Sequence, residues 1–361
     1  MRRTFHSLLF AAALSTPLLA TADPRFAVTA VAGADSTAYG INNLGQVVGT
    51  MAYGTGYHAF VAGSGGVTDI GALLGGQYSS ATAINDHGQV VGNANGAGYL
   101  YSGGSAALIP GAESAFGINN AGTVVGAYSN GGGGWTTLHA YTYAGGAVND
   151  LGTLPNGDSS RAFAINNHGD VVGAAANVIE GAPNFPEDPF LYHNGVMTSL
   201  GSFGGVWSGA TSINDHGQIV GYSGIDTSPD PGDIYPRTAF LYDGGVLRNL
   251  GGLLPGYSSI AYDINNLGQI VGSASLADGD AHAFLYENGR MVDLNTLVDP
   301  ASGWTISGAA AINDLQQIAA SACRAGVCQA VRLDLVSAVP EPPVYALLLA
   351  GLALVRRRRA R

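Results

Sequence analysis

The sequence predicts an all-β fold: a seven-bladed β-propeller of four-stranded blades, its ring closed by the N-terminal strand in the last blade. Three observations predict it. One phrase recurs seven times, the first six copies each travel with four short strand-like runs, and the last copy lacks its fourth run while a spare one precedes the first. Repeats of about 40–50 residues built from four strands are the pattern of propeller blades.

The recurring phrase runs from Ile41 to Gly49 as Ile-Asn-Asn-Leu-Gly-Gln-Val-Val-Gly. It returns from Ile84, Ile118, Ile165, Ile213, Ile264 and, degraded, Ile312, at spacings of 43, 34, 47, 48, 51 and 48 residues. Strand a of each unit ends at the Ile-Asn. The Asn/Asp-x-Gly that follows suits a short hairpin loop whose glycine takes the left-handed conformation. Strand b is the Gln-Val-Val-Gly run. Strand c is of the type His282-Ala283-Phe284-Leu285-Tyr286, and a Gly-rich turn such as Asp243-Gly244-Gly245 leads into strand d, of the type Met291-Val292-Asp293-Leu294. Val, Ile, Phe and Tyr fill these runs, as pleated half-buried surfaces favour. Unit seven stops after its strand c at about Gln329 to Leu335. Phe26 to Gly33 aligns with the strand d phrases, so it can complete the last blade and leave no open edge.

Three segments are expected. Residues 1–22 read as an export signal, with Arg2 and Arg3, an apolar run from Leu8 to Leu19, and a cleavage site at Ala20-Thr21-Ala22, so that the mature chain starts at Asp23. Residues 23–338 form the propeller. Residues 339–361 carry Val339-Pro340-Glu341-Pro342, an apolar run from Val344 to Val355, then Arg356 to Arg359 and Arg361. Twelve apolar residues reach about 18 Å as a helix, against about 30 Å of hydrocarbon, so a transient membrane contact is expected rather than a permanent span.

Charge excludes some partners. There is no lysine, and without its two ends the chain keeps seven arginines against 24 acids, a formal charge of −17. Nucleic acid needs a basic footprint that is absent here. Cys323 and Cys328 are the two cysteines; an even count in an exported chain, at this spacing, predicts a disulfide stapling a hairpin.

No nucleophile or phosphate-loop motif is present, and the reading leans away from an enzyme. His58, His139 and His282 share one strand c position, and His87, His168 and His216 share a turn position. Both sets read as structural or solvated, and the turn histidines come from blades read as non-adjacent, so their turns diverge. The repeated Asn and Asp read as caps of their own turns. What departs from the repeat gathers in the b–c and d–a connections, which share one face. Tyr78, Trp135, Trp207, Tyr257 and Trp304 lie there with Asp226, Asp230, Asp233, Asp278 and Asp280. Aromatic rings beside carboxylates form a candidate sugar-binding face, the alternative being that the aromatics cover blade edges and the acids are solvated. No cofactor is expected, with calcium the one candidate ion.

Two resemblances add to this. The His-Ala-Phe, Val-Thr-Asp-Ile-Gly and Ile-Asn-Asn phrases resemble the extracellular HAF repeat family over residues of about 36–335, which implies an extracellular setting and no particular activity. The tail resembles the PEP-CTERM sorting signal. That resemblance implies recognition by the export machinery and a membrane-embedded exosortase that cuts near Pro-Glu-Pro, with the arginines left on the cytoplasmic side. It places the protein at the outer surface, or outside, of a Gram-negative bacterium that makes exopolysaccharide. The expected function is a non-catalytic surface or matrix protein that binds polysaccharide or another surface partner. A polysaccharide hydrolase or lyase on the same scaffold, and a calcium-dependent adhesin, are the alternatives.

Overall fold

A computed structural model describes residues 26–129, 137–155, 157–177, 186–225 and 236–336. They form seven four-stranded antiparallel sheets. Blades one to six are consecutive hairpin meanders over residues 37–69, 79–108, 112–152, 160–199, 208–251 and 259–293. In each blade strand a lines the axis and strand d is outermost. Blade seven combines Thr305–Ile312, Ile318–Arg324 and Val327–Leu335 with Phe26–Ala34 as its strand d. Phe26 pairs with Leu335, Val28 with Leu333 and Ala30 with Val331. The two ends of the domain thus share one sheet, as the spare strand predicted.

The repeat phrase has a steric cause. Its last glycine faces an alanine of strand a, as in Ala38 with Gly49 or Ala261 with Gly272. A Cβ added at Gly49 would lie 1.9 Å from the carbonyl oxygen of Thr37, and one at Gly272 2.0 Å from that of Ile260. Beside this pair every strand a has a register shift, between Ala38 and Gly40 in blade one and between Ala309 and Ala311 in blade seven. Such a bulge inserts a residue and re-aims side chains.

The core lies between blades. Val48, Ala59 and Val61 of blade one pack with Ala81, Ile84 and Val90 of blade two, and Ala38, Val47 and Phe60 pack with Ala311, Ala319 and Ala330 of blade seven. A serine opening strand a clips the neighbours together: the hydroxyls of Ser79, Ser160, Ser259 and Ser36 accept the N–H of Ala59, Ala140, Ala239 and Ala330 in the preceding blade. In blade seven Cys323 and Cys328 face each other across the b–c hairpin and are disulfide-bonded. Ala325 and Gly326, both with positive φ, make the turn between them.

Candidate functional site

The extra residue of each bulge lines the axial channel. In blade order these are Tyr39, Thr82, Phe116, Phe163, Thr211, Tyr262 and Ala310, around a cavity of about 290 Å³. The Phe116 and Phe163 rings meet edge to face at 5.5 Å, while the Thr82 and Thr211 hydroxyls bond the carbonyls of Ala115 and Ala261 in the next blade.

The a–b turns close one end of the channel with two concentric rings of hydrogen bonds. The first Asn of each phrase caps its own turn, as when Asn42 Oδ1 accepts the N–H groups of Leu44 and Gln46. Its amide then donates to the backbone carbonyl of the same Asn in the next blade. This runs from Asn42 through Asn85, Asn119, Asn166, Asn214, Asn265 and Asn313 back to Asn42, at 2.8 to 3.3 Å. The next position forms the second ring, in which each backbone N–H donates to the side-chain oxygen of the following blade: Asn43, Asp86, Asn120, Asn167, Asp215, Asn266, Asp314 and back to Asn43. The repeated Asn and Asp are therefore more than caps of their own turns. The three aspartates are never neighbours, and Asn amides separate them. Burial alone would raise the carboxyl of Asp215, but the backbone N–H of Asn167 and the amides of Asn167 and Asn266, with His168 nearby, outweigh it and hold it below the ordinary range.

One channel residue breaks the pattern. The position after the bulge is Gly40, Ala83, Gly117, Ala164, Ser212 and Ala311 in six blades, and Asp263 in blade six. Its carboxylate accepts from the Ser212 hydroxyl in blade five at 2.6 Å and from the Ile312 N–H in blade seven at 2.9 Å, so it ties together three blades. Burial in the channel wall raises its pKa to about 6; the Ser212 hydroxyl and the Ile312 and Ile264 N–H groups oppose the rise, and the charge of Asp314 adds to it.

At the opposite end, on the face of the b–c and d–a connections, a cleft of about 580 Å³ opens beside the channel and shares Tyr39 and Thr82 with it. Asp35, Thr50, Gly56, Tyr57 and Ser80 also line it. Tyr57 and Tyr78 stand edge to face at 5.3 Å and both are exposed. The Asp35 N–H donates to the Cys328 carbonyl at 2.9 Å, so the disulfide hairpin of blade seven holds one side of the cleft.

Of the residues expected on this face, Tyr78, Trp207 and Tyr257 are exposed, on the approaches to strand a of blades two, five and six. Trp304 is different. It is buried in the core beside the disulfide hairpin, with the Arg324 guanidinium 4.5 Å above its ring, and offers no open face. Asp278 and Asp280 share a loop of blade six, in which Asp278 accepts the Asp280 N–H. Trp135, Asp226, Asp230 and Asp233 lie outside the described residues, as do Ala20, Ala22, Val339, Pro340, Glu341 and Pro342.

The strand c histidines pair across to strand d: His58 with Asp69, His139 with Asp150 and His282 with Asp293, at 2.7 to 3.0 Å. The same pair of positions holds Thr238 with Asn249 and Asp188 with Ser199, which makes it a blade fastening. His168 and His216 stand on adjacent blades, four and five, and not on separated ones as the sequence reading had it. Among the described residues no three His, Cys, Asp or Glu side chains converge to hold a metal ion. Asp35, Tyr39, Tyr57 and Asp263 went unrecognised in the sequence. Aligning the repeats at the position after the bulge would have exposed Asp263.

The fold is similar to the β-propeller domain of the trilobed protease from Pyrococcus furiosus, described as having an open velcro topology, at a TM-score of 0.54 and 12% identity over 86% of this chain and 99% of that one. A chain of the S. cerevisiae complex of Dbp5 with Nup159 and Gle1 also matches, at a TM-score of 0.41 and 12% identity over 86% and 96%. These likenesses concern fold alone. No curated protein matches the sequence. The model of one family, described as a protein of unknown function, matches residues 112–330, blades three to seven, and the chain belongs to that DUF3466 family.

Proposed function

We propose that the protein is exported to the outer surface of a Gram-negative cell, where it binds an extracellular polysaccharide without cleaving it, in the cleft on its loop-rich face. The observation that carries this reading is the composition of the cleft. Tyr39 and Tyr57 present rings on which the C–H faces of sugars stack, and Asp35, Thr50, Ser80 and Thr82 offer partners for hydroxyls. Asp35 is the one carboxylate of that lining, whereas a glycosidase needs a pair about 5 to 9 Å apart across the scissile bond. The charged groups lining cleft and channel are all aspartates: Asp35, Asp86, Asp215, Asp263 and Asp314. Such a field favours neutral or amine-bearing sugars and repels uronates. The disulfide, the basic-then-apolar start and the Pro-Glu-Pro tail support export and sorting.

Calorimetry on the chain from residue 23 tests it with neutral, amine-bearing and uronate oligosaccharides. Neutral or amine-bearing oligomers should bind, and Tyr57→Ala should weaken binding about tenfold, the loss of one stacked ring. Preference for uronates, or no binding of any of the three, would sink the reading. Release of new reducing ends would transfer it to the hydrolase alternative.

A further inference from the structure

The face opposite the cleft carries a lopsided apolar surface. At the tip of each a–b turn stands the residue after the Asn/Asp and before the glycine, or before Gln316 in blade seven: Leu267, Leu315 and Leu44 on the consecutive blades six, seven and one, and His87, Ala121, His168 and His216 on blades two to five. The three leucines are 60%, 61% and 69% exposed. The chain leaves the fold among them. Asp334 accepts from Gln317, two residues past Leu315, and Arg332 donates to the carbonyl of Gly45, the residue after Leu44. Leu335 and Val336, where the described chain ends, are themselves exposed. After seven intervening residues begins the apolar run Val344 to Val355, and then the five arginines.

We propose that this turn face lies against a lipid bilayer, with Leu44, Leu267 and Leu315 as its contacts and residues 344–355 inserted beside them. Chemistry selects this occupant. The run is apolar on every side, so folding it back onto three leucines would leave most of it in water, whereas a bilayer takes it whole. At about 18 Å it is too short to cross about 30 Å of hydrocarbon, and its seven-residue lead can extend no more than about 25 Å. The propeller is therefore kept close to the surface. The arginines favour anionic headgroups. The apolar arc covers blades six, seven and one, so the propeller leans to that side and the histidine side is lifted. This docking belongs to the chain that still carries its tail, before any cut near Pro340-Glu341-Pro342; it is independent of what the cleft binds and leaves the cleft facing outward.

The test uses the chain of residues 23–361, which keeps the whole fold, with an environment-sensitive fluorophore at Leu315→Cys or at Tyr78→Cys, the native cysteines being disulfide-bonded. On vesicles of phosphatidylethanolamine and phosphatidylglycerol the label at 315 should shift to the blue and be quenched by spin-labelled lipid, while that at 78 stays unchanged. The triple variant Leu44→Ser, Leu267→Ser, Leu315→Ser should partition about tenfold less, since each partly exposed leucine adds a fraction of its transfer free energy. The proposal is overturned by a chain that ignores vesicles, or by a bound chain whose 315 label stays in water. A blue shift without lipid, meaning a folded-back tail, or one that tracks protein concentration, meaning a second copy, overturns it equally.

Discussion

The side-chain amide of Asn313 donates to the backbone carbonyl of Asn42 at 2.8 Å, across 271 residues of sequence. This bond joins the last blade to the first at the axis, while Phe26–Ala34 joins the chain ends at the rim. The ring is thus closed twice. Asn313 also caps its own turn, accepting the N–H groups of Leu315 and Gln317. Asn313→Ala should cost about 2–4 kcal/mol, the loss of a cap plus an inter-blade bond with a carbonyl left unpaired, read from urea denaturation. A cost no larger than that of an exposed Asn→Ala change would mean the axial ring is ornamental.

The rim closure makes a separate prediction. Deleting residues 23–33 removes the outer strand of blade seven and exposes the edge of Val327–Leu335. The truncated chain should lose its single sharp melt or aggregate on heating, because an unpaired edge invites pairing with other chains. Calorimetry that found the same sharp transition would show that the axial ring suffices.

Tyr99 and Tyr141 occupy the same strand c position in blades two and three and are both fully buried, yet they differ in one atom's fate. The Tyr141 hydroxyl donates to the Ser114 carbonyl at 3.0 Å, whereas the Tyr99 hydroxyl has no protein partner. Burial raises both phenols far above their usual range. The other blades with this motif place Phe60, Phe190, Phe240 and Phe284 there. Tyr99→Phe should therefore be neutral or stabilising by up to about 1–2 kcal/mol, and Tyr141→Phe destabilising by about 1 kcal/mol. Melting temperatures moving in the same direction for both would refute the distinction.

Asp263 predicts a pH dependence whose sign is opposite to that of an ordinary paired carboxylate. Its folded pKa of about 6 lies above the ordinary aspartate value of about 3.9, so the folded state holds a proton that the unfolded chain releases. The stabilisation is fully present below about pH 4 and is lost as pH rises through about 6, by at most about 3 kcal/mol and less where channel water screens the charge. Asp263→Asn should flatten this loss and be more stable than the native chain at pH 7.5. Subtracting the two stability curves removes the contribution of acids such as Asp150, for which burial is outweighed by the Gly152 N–H, His139 and Tyr128, and which favour the fold at higher pH. A difference curve without slope between pH 4 and 7 would contradict the assignment.

The sequence by itself determined the blades. Seven Ile-Asn phrases set the number, and Gly49 and its counterparts mark where strand b runs under a strand a carbonyl. The missing fourth strand after Leu335, with a spare one at Phe26, dictated how the ring closes. These are legible because period-two patterning, turn glycines and repeats are local properties of a chain. The disulfide was legible too, since Cys323 and Cys328 lie within one hairpin. What joins one blade to the next was not legible. Asn42 looks like a turn cap in one dimension, and its amide reaches Asn85 only once the turns are set around an axis. Trp304 read as an open platform, but the b strand beside it carries Arg324 over its ring. The cleft assembles Asp35, Tyr57 and Ser80 from the junctions of blades seven, one and two, and Asp263 is tied to Ser212 and Ile312 on either side. Such groupings depend on distances around a closed ring, which residue spacing along the chain does not encode.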